Sequence, residues 1–261
     1  MTSGVVQRLR LDRLLANMGY GSRKDIATLA KVGHIVLDGV TVKDADMHII
    51  VSRDLSQRLT ISGAPLDPPP GFALMLHKPL GVTCSHKEAG PLAYGLLPSR
   101  WRARKPAIST VGRLDKDTSG LLLLTDDGAL LHRIIAPKSH VSKRYVVTLA
   151  RPLRGDEATV LASGTLMLES EDKPLLPVEM EMAEGALTAT PVVRVTLHEG
   201  RYHQVRRMFA ALGNHVSALH RDRIGGLDLP ADLEPGQWRL MSAAAIAEVF
   251  SGDGKSAIQI S

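Results

Sequence analysis

The chain has 261 residues, of which 44% are hydrophobic, so it is long enough to bury one large core or two smaller ones. No apolar run approaches the roughly 18 residues that span a bilayer, the first residues lack the apolar core of a signal peptide, and a single cysteine, Cys84, excludes an internal disulfide. We therefore expect a cytoplasmic protein without a membrane partner, and the net charge of +5 indicates a polyanionic partner.

The N-terminal segment predicts two helices followed by a hairpin. Apolar residues at helical spacing define the first helix: Leu11, Leu14, Leu15 and Met18. The second helix is predicted to begin after Ser22, which can cap it together with Asp25, and to end at Gly33. Residues 34–42 alternate around an Asp-Gly pair, which is typical of two strands joined by a tight turn. The helices carry basic side chains suited to RNA phosphates: Arg8, Arg10, Arg13, Arg23, Lys24 and Lys31.

A proline-rich segment predicts a domain boundary. Residues 62–71 hold four prolines and two glycines, a composition that cannot continue a helix or an inner strand. We therefore expect an N-terminal domain over 1–62, a linker over 63–71, a second domain over 72–250, and a disordered tail over 251–261. For the second domain, hydrophobic patterns predict strands at 72–77, 107–111, 121–125, 144–149 and 191–198, and helices near 129–135, 155–162 and 203–212. The second domain is thus predicted to be mixed α+β.

Basic residues are concentrated in two stretches of this second domain. Residues 98–145 contain ten Lys or Arg and four Asp, whereas residues 146–193 contain three basic and eight acidic residues. Residues 194–223 are again basic, with six Arg against two acids. The two basic stretches could together line a phosphate-binding cleft, and the alternative is solvated surface charge.

Asp115 is the strongest single candidate for chemistry. It follows an apolar segment and precedes the strand-like run 121–125, with Gly112 and Gly120 permitting sharp turns on either side. A carboxylate in such a loop can act as nucleophile, general base or metal ligand, and the alternative is a turn aspartate that bonds its own backbone. The spacing also imitates a calcium loop, but Leu123 stands at the ninth position, Asp126 at the twelfth, and the flanks resemble strands rather than helices. We therefore predict no metal.

Two further segments carry candidate functional residues. The run 199–208 enters a predicted helix and contains cations and polar groups that could hold an aspartate or a phosphate: Arg201, His203, Gln204, Arg206 and Arg207. The alternative is a surface-exposed basic helix. In Lys143-Arg144-Tyr145, an aromatic ring beside two cations could stack on a base removed from its helix, and the alternative is a half-buried strand tyrosine.

Together these segments resemble the pseudouridine synthases that carry an N-terminal S4 domain. Residues up to about 61 resemble the S4 RNA-binding domain. Four motifs resemble those of the catalytic domain: His77-Lys78-Pro79-x-Gly81, Gly112-Arg113-Leu114-Asp115-x-x-Thr118-x-Gly120, Lys143-x-Tyr145 and Gly200-Arg-Tyr-His-Gln-Val-Arg206. The resemblance implies a small S4-like α/β domain linked to a mixed, mainly antiparallel sheet with flanking helices. Segments 208–215 and 219–226 are more similar to the branch that acts on the small ribosomal subunit.

The resemblance also implies an activity and roles for residues. It implies isomerisation of uridine to pseudouridine in 16S rRNA, free or in an assembly intermediate, without a cofactor. A monomer is the default expectation. The alternatives are action on 23S rRNA and a non-enzymatic S4-type RNA-binding or ribosome-assembly protein. The implied catalytic residues are Asp115, Arg206, which would pair with it, and Tyr145, which would stack on the uracil. The further residues expected to contact RNA are Arg113, Lys143, Arg201, His203, Gln204, Val205 and Arg207, with Arg10, Arg13, Arg23 and Lys24 in the S4-like domain.

Overall fold

A computed structural model describes residues 7–85, 89–182 and 190–251. The chain divides into two compact units. The first unit takes in the chain up to Ala73 together with Leu97–Ser109 and Leu124–Gly128, and the second takes in Leu74–Leu96, Thr110–Leu123 and the chain from Ala129. Within the described ranges no helix is long and apolar enough to cross a bilayer. The predicted tail is outside these ranges from residue 252 onward.

The first unit consists of short strands and helices. Its strands are β1 (Gln7–Arg10), β2 (Ile35–Leu37), β3 (Val40–Thr41), β4 (His48–Val51), β5 (Leu59–Ile61) and β6 (Ala64–Pro65). Its helices are α1 (Leu11–Asn17), α2 (Arg23–Lys31) and α3 (Leu55–Arg58), with a 3-10 turn at Ser99–Ala103. Strand β1 pairs with β4, while β3, β2, β5 and β6 form a four-stranded sheet in that order.

The predicted helix-helix-hairpin is confirmed. The hydroxyl of Ser22 accepts from the Asp25 backbone N–H, and the Asp25 carboxylate accepts from the Ser22 N–H at 2.8 Å, which completes a capping box for α2. Strands β2 and β3 pair around the Asp-Gly turn. The predicted apolar stripe of α1 is buried, because it packs on Ile26, Ile35 and the remaining strands to form the core of this unit.

The proline-rich segment is not the free linker that composition predicted. Strand β6 pairs with β5, and Leu66 is buried. The next carboxylate, Asp67, accepts two hydrogen bonds from Arg100, at 2.6 and 2.9 Å. The strand pairing holds the backbone of the segment and the Arg100 hydrogen bonds hold its side chain, so the segment is part of the first unit.

The second unit contains most of a nine-stranded mixed sheet. Its strands are β7 (Ala73–Lys78), β8 (Ser109–Val111), β9 (Thr118–Thr125), β10 (Lys143–Leu149), β11 (Glu179–Met182), β12 (Val192–Leu197), β13 (Val216–Ile224), β14 (Leu227–Asp228) and β15 (Trp238–Leu240). The helices are α4 (Gly128–Ile135), α5 (Glu157–Ala162), α6 (Gln204–Ala211) and α7 (Ala243–Glu248), with 3-10 turns at Ala93–Leu96 and Pro137–Ser139. The sheet order is β11-β12-β10-β13-β9-β7-β15, with β14 on β13 and β8 on β9.

The strands and helices predicted for this region are confirmed to within a few residues. Strand β13 was not predicted, because its sequence mixes charged and apolar residues without strict alternation. It nevertheless lies near the middle of the sheet, antiparallel to β10 and parallel to β9. Helices α5 and α6 flank this sheet, and α6 buries Val205, Met208 and Phe209 in the main core of the unit. The fold is therefore the mixed, mainly antiparallel α+β arrangement that was expected.

Candidate active site

Asp115 lies in the loop between β8 and β9. Gly112 starts the loop with a φ of +73°, buried Leu114 anchors it, and the Thr118 N–H donates to the Asp115 carbonyl at 3.1 Å. The loop is therefore a defined turn held by two strands, as the sequence predicted. The Asp115 side chain is 29% exposed, so its carboxylate remains reachable by a substrate.

The start of α6 brings a histidine to this carboxylate. His203 precedes the helix in the left-handed conformation, with a φ of +48°, which is unusual for a residue other than glycine. Its Nε2 atom lies 3.4 Å from Oδ1 of Asp115. The ring of Tyr202 stacks on the imidazole at 3.9 Å between centroids and is 73% exposed. Strained backbone of this kind is concentrated at functional sites. The left-handed conformation of His203 and its contact with Asp115 therefore both support a role for His203 in the site.

Strand β10 supplies the facing wall. Lys143 and Tyr145 lie two residues apart and therefore on the same side of the strand. The Tyr145 hydroxyl lies 3.4 Å from Nη1 of Arg221, a residue of β13 that is 3% exposed. Arg221 also donates through Nε to the Leu121 carbonyl at 2.8 Å. Sequence reasoning missed Arg221 because its strand was not predicted.

These groups enclose one cavity of about 440 Å³, which is within the size range of small-ligand sites. The predicted site residues that line it are Asp115, Tyr145, Arg206, Arg113, Lys143, Arg201, His203, Gln204 and Val205. Arg207 does not line it, and Arg221 is an addition. The remaining predicted RNA contacts, Arg10, Arg13, Arg23 and Lys24, belong to the other compact unit.

The expected ion pair between Arg206 and Asp115 is not formed. Nη2 of Arg206 instead lies 2.8 Å from the Asp117 carboxylate, and its two terminal nitrogens donate to the carbonyls of Val216 and Asp117. These three acceptors fix the guanidinium on the far end of the turn. Arg206 therefore holds the loop that carries Asp115 without contacting the Asp115 carboxylate.

The guanidinium groups of Arg201 and Arg207 are engaged within the protein. Both contact the Glu171 carboxylate, at 3.2 and 2.7 Å. Arg201 also binds Glu199 at 3.0 Å and backbone carbonyls of the 169–174 segment, while Arg207 donates to the Glu169 carbonyl. These contacts hold this segment against the start of α6, and contact of Arg201 and Arg207 with RNA stays a prediction.

Gln204 is also used to hold this corner of the protein. Its side-chain oxygen accepts from the Arg201 N–H at 2.8 Å, and its amide donates to Glu199 at 3.1 Å. The residue is 5% exposed. These bonds fix the backbone that presents His203 to Asp115, so Gln204 contributes to the site by positioning.

In the first unit, two of the predicted RNA-binding arginines share one acid. Arg10 and Arg23 both contact the buried carboxylate of Asp12, at 3.0 and 2.8 Å. Arg13 and Lys24 are exposed at the surface. Asp12 offsets part of the charge of Arg10 and Arg23, and contact of all four residues with RNA stays a prediction.

Sequence comparison identifies the family. The sequence pattern of the RNA pseudouridylate synthase family matches residues 73–211, and that of the S4 domain matches residues 9–49. The chain belongs to the RNA pseudouridylate synthase family. The matched range includes the loop with Asp115, strand β10 and helix α6, so the cavity described above is formed mainly by the segment that defines the family.

The pseudouridylate synthase relatives are similar over nearly the whole chain. Ribosomal small subunit pseudouridine synthase A of Escherichia coli (strain K12) is 39% identical over 245 residues, which cover 92% of this chain and 100% of the relative. The protein of the same name from Vibrio cholerae is 37% identical over 246 residues, with coverage of 93% and 100%. A solved pseudouridylate synthase structure is 36% identical, covers 92% of this chain and 99% of its own, and has a TM-score of 0.62.

Lys143 lines the cavity, and burial lowers its pKa from 10.5 to about 8, helped by the neighbouring charge of Arg221. We expect Lys143→Met to stabilise the protein at pH 7 by about 1–3 kcal/mol, since the charged form is disfavoured in the fold. Between pH 8 and 10.5 the unfolded chain binds more protons at this residue than the folded one, so the wild type gains stability as pH rises. The gain from the substitution should therefore shrink across that window.

Denaturant unfolding at pH 7, 8.5 and 10 measures this difference. Arg239→Met is the control, because Arg239 forms an exposed ion pair with Asp232 outside the cavity. If the difference in free energy of unfolding between Lys143→Met and wild type does not change with pH, the lowered pKa of Lys143 is contradicted.

Proposed function

We propose that this chain isomerises uridine to pseudouridine in 16S rRNA, with Asp115 as the reacting carboxylate. The observation that supports this most directly is the reachable Asp115 carboxylate in one cavity with the Tyr145 ring. The named relatives that act on the small ribosomal subunit, at 37–39% identity over almost the full chain, support the choice of RNA.

The reaction breaks the bond between C1′ of the ribose and N1 of uracil and forms a bond from C1′ to C5. Asp115 either attacks C1′ or removes a proton from the ribose, and in both routes the electrons of the C1′–N1 bond leave with the uracil. The uracil then rotates and C5 bonds to C1′. In the first route the bond between Asp115 and C1′ breaks at this point, and in the second route Asp115 returns the proton to the ribose. The proton lost from C5 is balanced by one gained at N1. The atoms balance without a cofactor.

The other cavity residues have supporting roles in this proposal. The target base must leave its stack to reach a cavity, and the Tyr145 ring offers a surface on which it can stack. Val205, which is 5% exposed, packs below the base. His203 is the group that contacts Asp115, and Arg206 fixes the turn that carries it.

RNA binding outside the cavity is assigned to the S4 domain. Its exposed Arg13 and Lys24 can contact phosphates, and such contacts carry most of the affinity for RNA. We propose that the protein acts in the cytoplasm as a monomer. Its substrate is 16S rRNA, either free or in a small-subunit assembly intermediate.

Mapping of pseudouridine in a deletion strain tests the proposal. The strain is complemented with the wild-type chain, and 16S and 23S rRNA are mapped at single-nucleotide resolution. We expect one uridine of 16S rRNA to regain modification. Restoration in 23S rRNA alone would move the target to the large subunit, and no restoration in either RNA would leave only RNA binding.

A further inference from the structure

Arg221 is a buried arginine that forms no ion pair with the residues that the structure describes. It is 3% exposed, and within the described ranges no carboxylate lies within 4.0 Å of its guanidinium. Its Nε and Nη1 atoms donate to the Leu121 carbonyl and the Tyr145 hydroxyl, while Nη2 is buried without a hydrogen-bond partner among the described residues. Burial of an unpaired charge destabilises a fold by several kcal/mol, so stability does not explain this arrangement.

Arg104 in the other compact unit is a buried arginine that does pair with an acid. Its side chain is 1% exposed, and it contacts the equally buried carboxylate of Asp126 at 3.2 Å. It also donates to the Pro68 carbonyl and lies over the ring of Phe72 at 4.8 Å. Arg221 lacks such charge compensation from the described residues, although it is buried to a similar degree.

The positive charge of Arg221 lies in the wall of the active-site cavity. Its strand β13 pairs with β10, so that Arg221 stands opposite Tyr145. Lys143, on the same side of β10, adds a second cation to this wall. Its ammonium donates to the Val141 carbonyl at 3.0 Å, and no carboxylate of the described residues lies within 4.0 Å of it. The wall formed by Arg221, Lys143 and Tyr145 therefore carries two cations, of which Arg221 is buried and Lys143 is half-buried.

We propose that Arg221 and Lys143 stabilise the negative charge that develops on uracil when its bond to the ribose breaks. The inference rests on the proposed function. The bonding electrons remain on N1 and spread to O2 and O4 of the ring, and a preorganised positive charge beside the ring lowers the energy of that state. Arg221 acts from behind Tyr145, whose hydroxyl it orients; it is a positioning and electrostatic residue.

Variants of Arg221 and a modified substrate test this proposal. Single-turnover rate constants are measured with the rRNA that the wild type modifies, carrying uridine or 5-fluorouridine at the target. Fluorine withdraws electrons and stabilises the uracil anion by itself, and the assay follows consumption of the nucleoside because fluorine replaces the C5 proton. We expect Arg221→Met to lower the rate constant by about 100-fold with uridine and by about 10-fold or less with 5-fluorouridine.

Further variants separate charge from structure. Arg221→Lys restores a cation, so its single-turnover rate constant with uridine should be at least about tenfold higher than that of Arg221→Met. The surface variant Arg239→Met should match the wild type on both RNAs. Lys143→Met should show the same substrate dependence as Arg221→Met, and it carries the test with Arg221→Lys if Arg221→Met does not fold.

The outcomes distinguish this inference from the proposed function. A wild type that modifies neither rRNA refutes the proposed function. An active wild type with equal losses on uridine and 5-fluorouridine, or with Arg221→Lys as slow as Arg221→Met, overturns the role of charge. A loss found only in RNA affinity, with an unchanged single-turnover rate constant at saturation, overturns it as well.

Discussion

Asp115→Asn should lower pseudouridine formation by at least about 10⁴-fold while RNA affinity stays within about threefold of the wild type. Asparagine has nearly the shape of aspartate, so the turn held by the Thr118 N–H and by Leu114 is retained. An amide, however, can neither attack C1′ nor accept a ribose proton at neutral pH. Affinity is preserved because phosphate contacts, which dominate RNA binding, do not involve this side chain.

Single-turnover kinetics and filter binding at two salt concentrations measure the two effects separately. Asp117→Asn is the matched comparison, because it makes the same chemical change two residues away in the same turn. Asp117 pairs with Arg206, so its loss should loosen the turn and lower the rate by about 10–100-fold only. A larger loss in Asp117→Asn than in Asp115→Asn would indicate that Asp117, and not Asp115, is the reacting carboxylate.

Local sequence signals predict the elements that carry these residues. The Ser22 and Asp25 capping box, the apolar side of α6 and the two glycines around Asp115 each act over a few positions, so a single sequence contains the information. For this reason local patterns are sufficient to place Asp115 in a loop and Tyr145 on a strand.

Features that depend on tertiary contacts cannot be predicted from local sequence patterns. Strand β13 does not show the alternation of apolar and polar residues that is typical of a strand. Its charged residues become buried or form ion pairs only when β9 and β10 pack beside it, and the sequence alone does not show this packing. Arg221 therefore counts in the sequence only as part of a basic stretch, and its burial cannot be foreseen. The ion-pair partner of Arg206 is missed for a related reason. Asp115 and Asp117 are only two residues apart, so the sequence does not distinguish them as partners, and the geometry of the turn places Asp117 beside Arg206.

Gly120→Ala should destabilise the protein by at least about 3 kcal/mol and reduce activity in the fraction that folds. A Cβ at this position would lie 2.2 Å from the Arg221 carbonyl oxygen and 2.6 Å from its nitrogen, which are backbone atoms that cannot rotate away. Strands β9 and β13 pair directly at Gly120 and Arg221, so relief of the clash requires the strands to separate. The φ of +112° adds strain for any residue with a Cβ. Separation would also shift Arg221 away from the Tyr145 hydroxyl.

Gly112→Ala provides the control, because Gly112 also has a positive φ, of +73°, but an added Cβ meets nothing within 4 Å. It should cost only the backbone strain, about 1–2 kcal/mol. The difference between the two variants in denaturant unfolding therefore isolates the contact between Gly120 and Arg221. Equal destabilisation by both variants would show that the strands can move apart without penalty, and the close approach that places Arg221 beside the cavity would then not be a constraint on this fold.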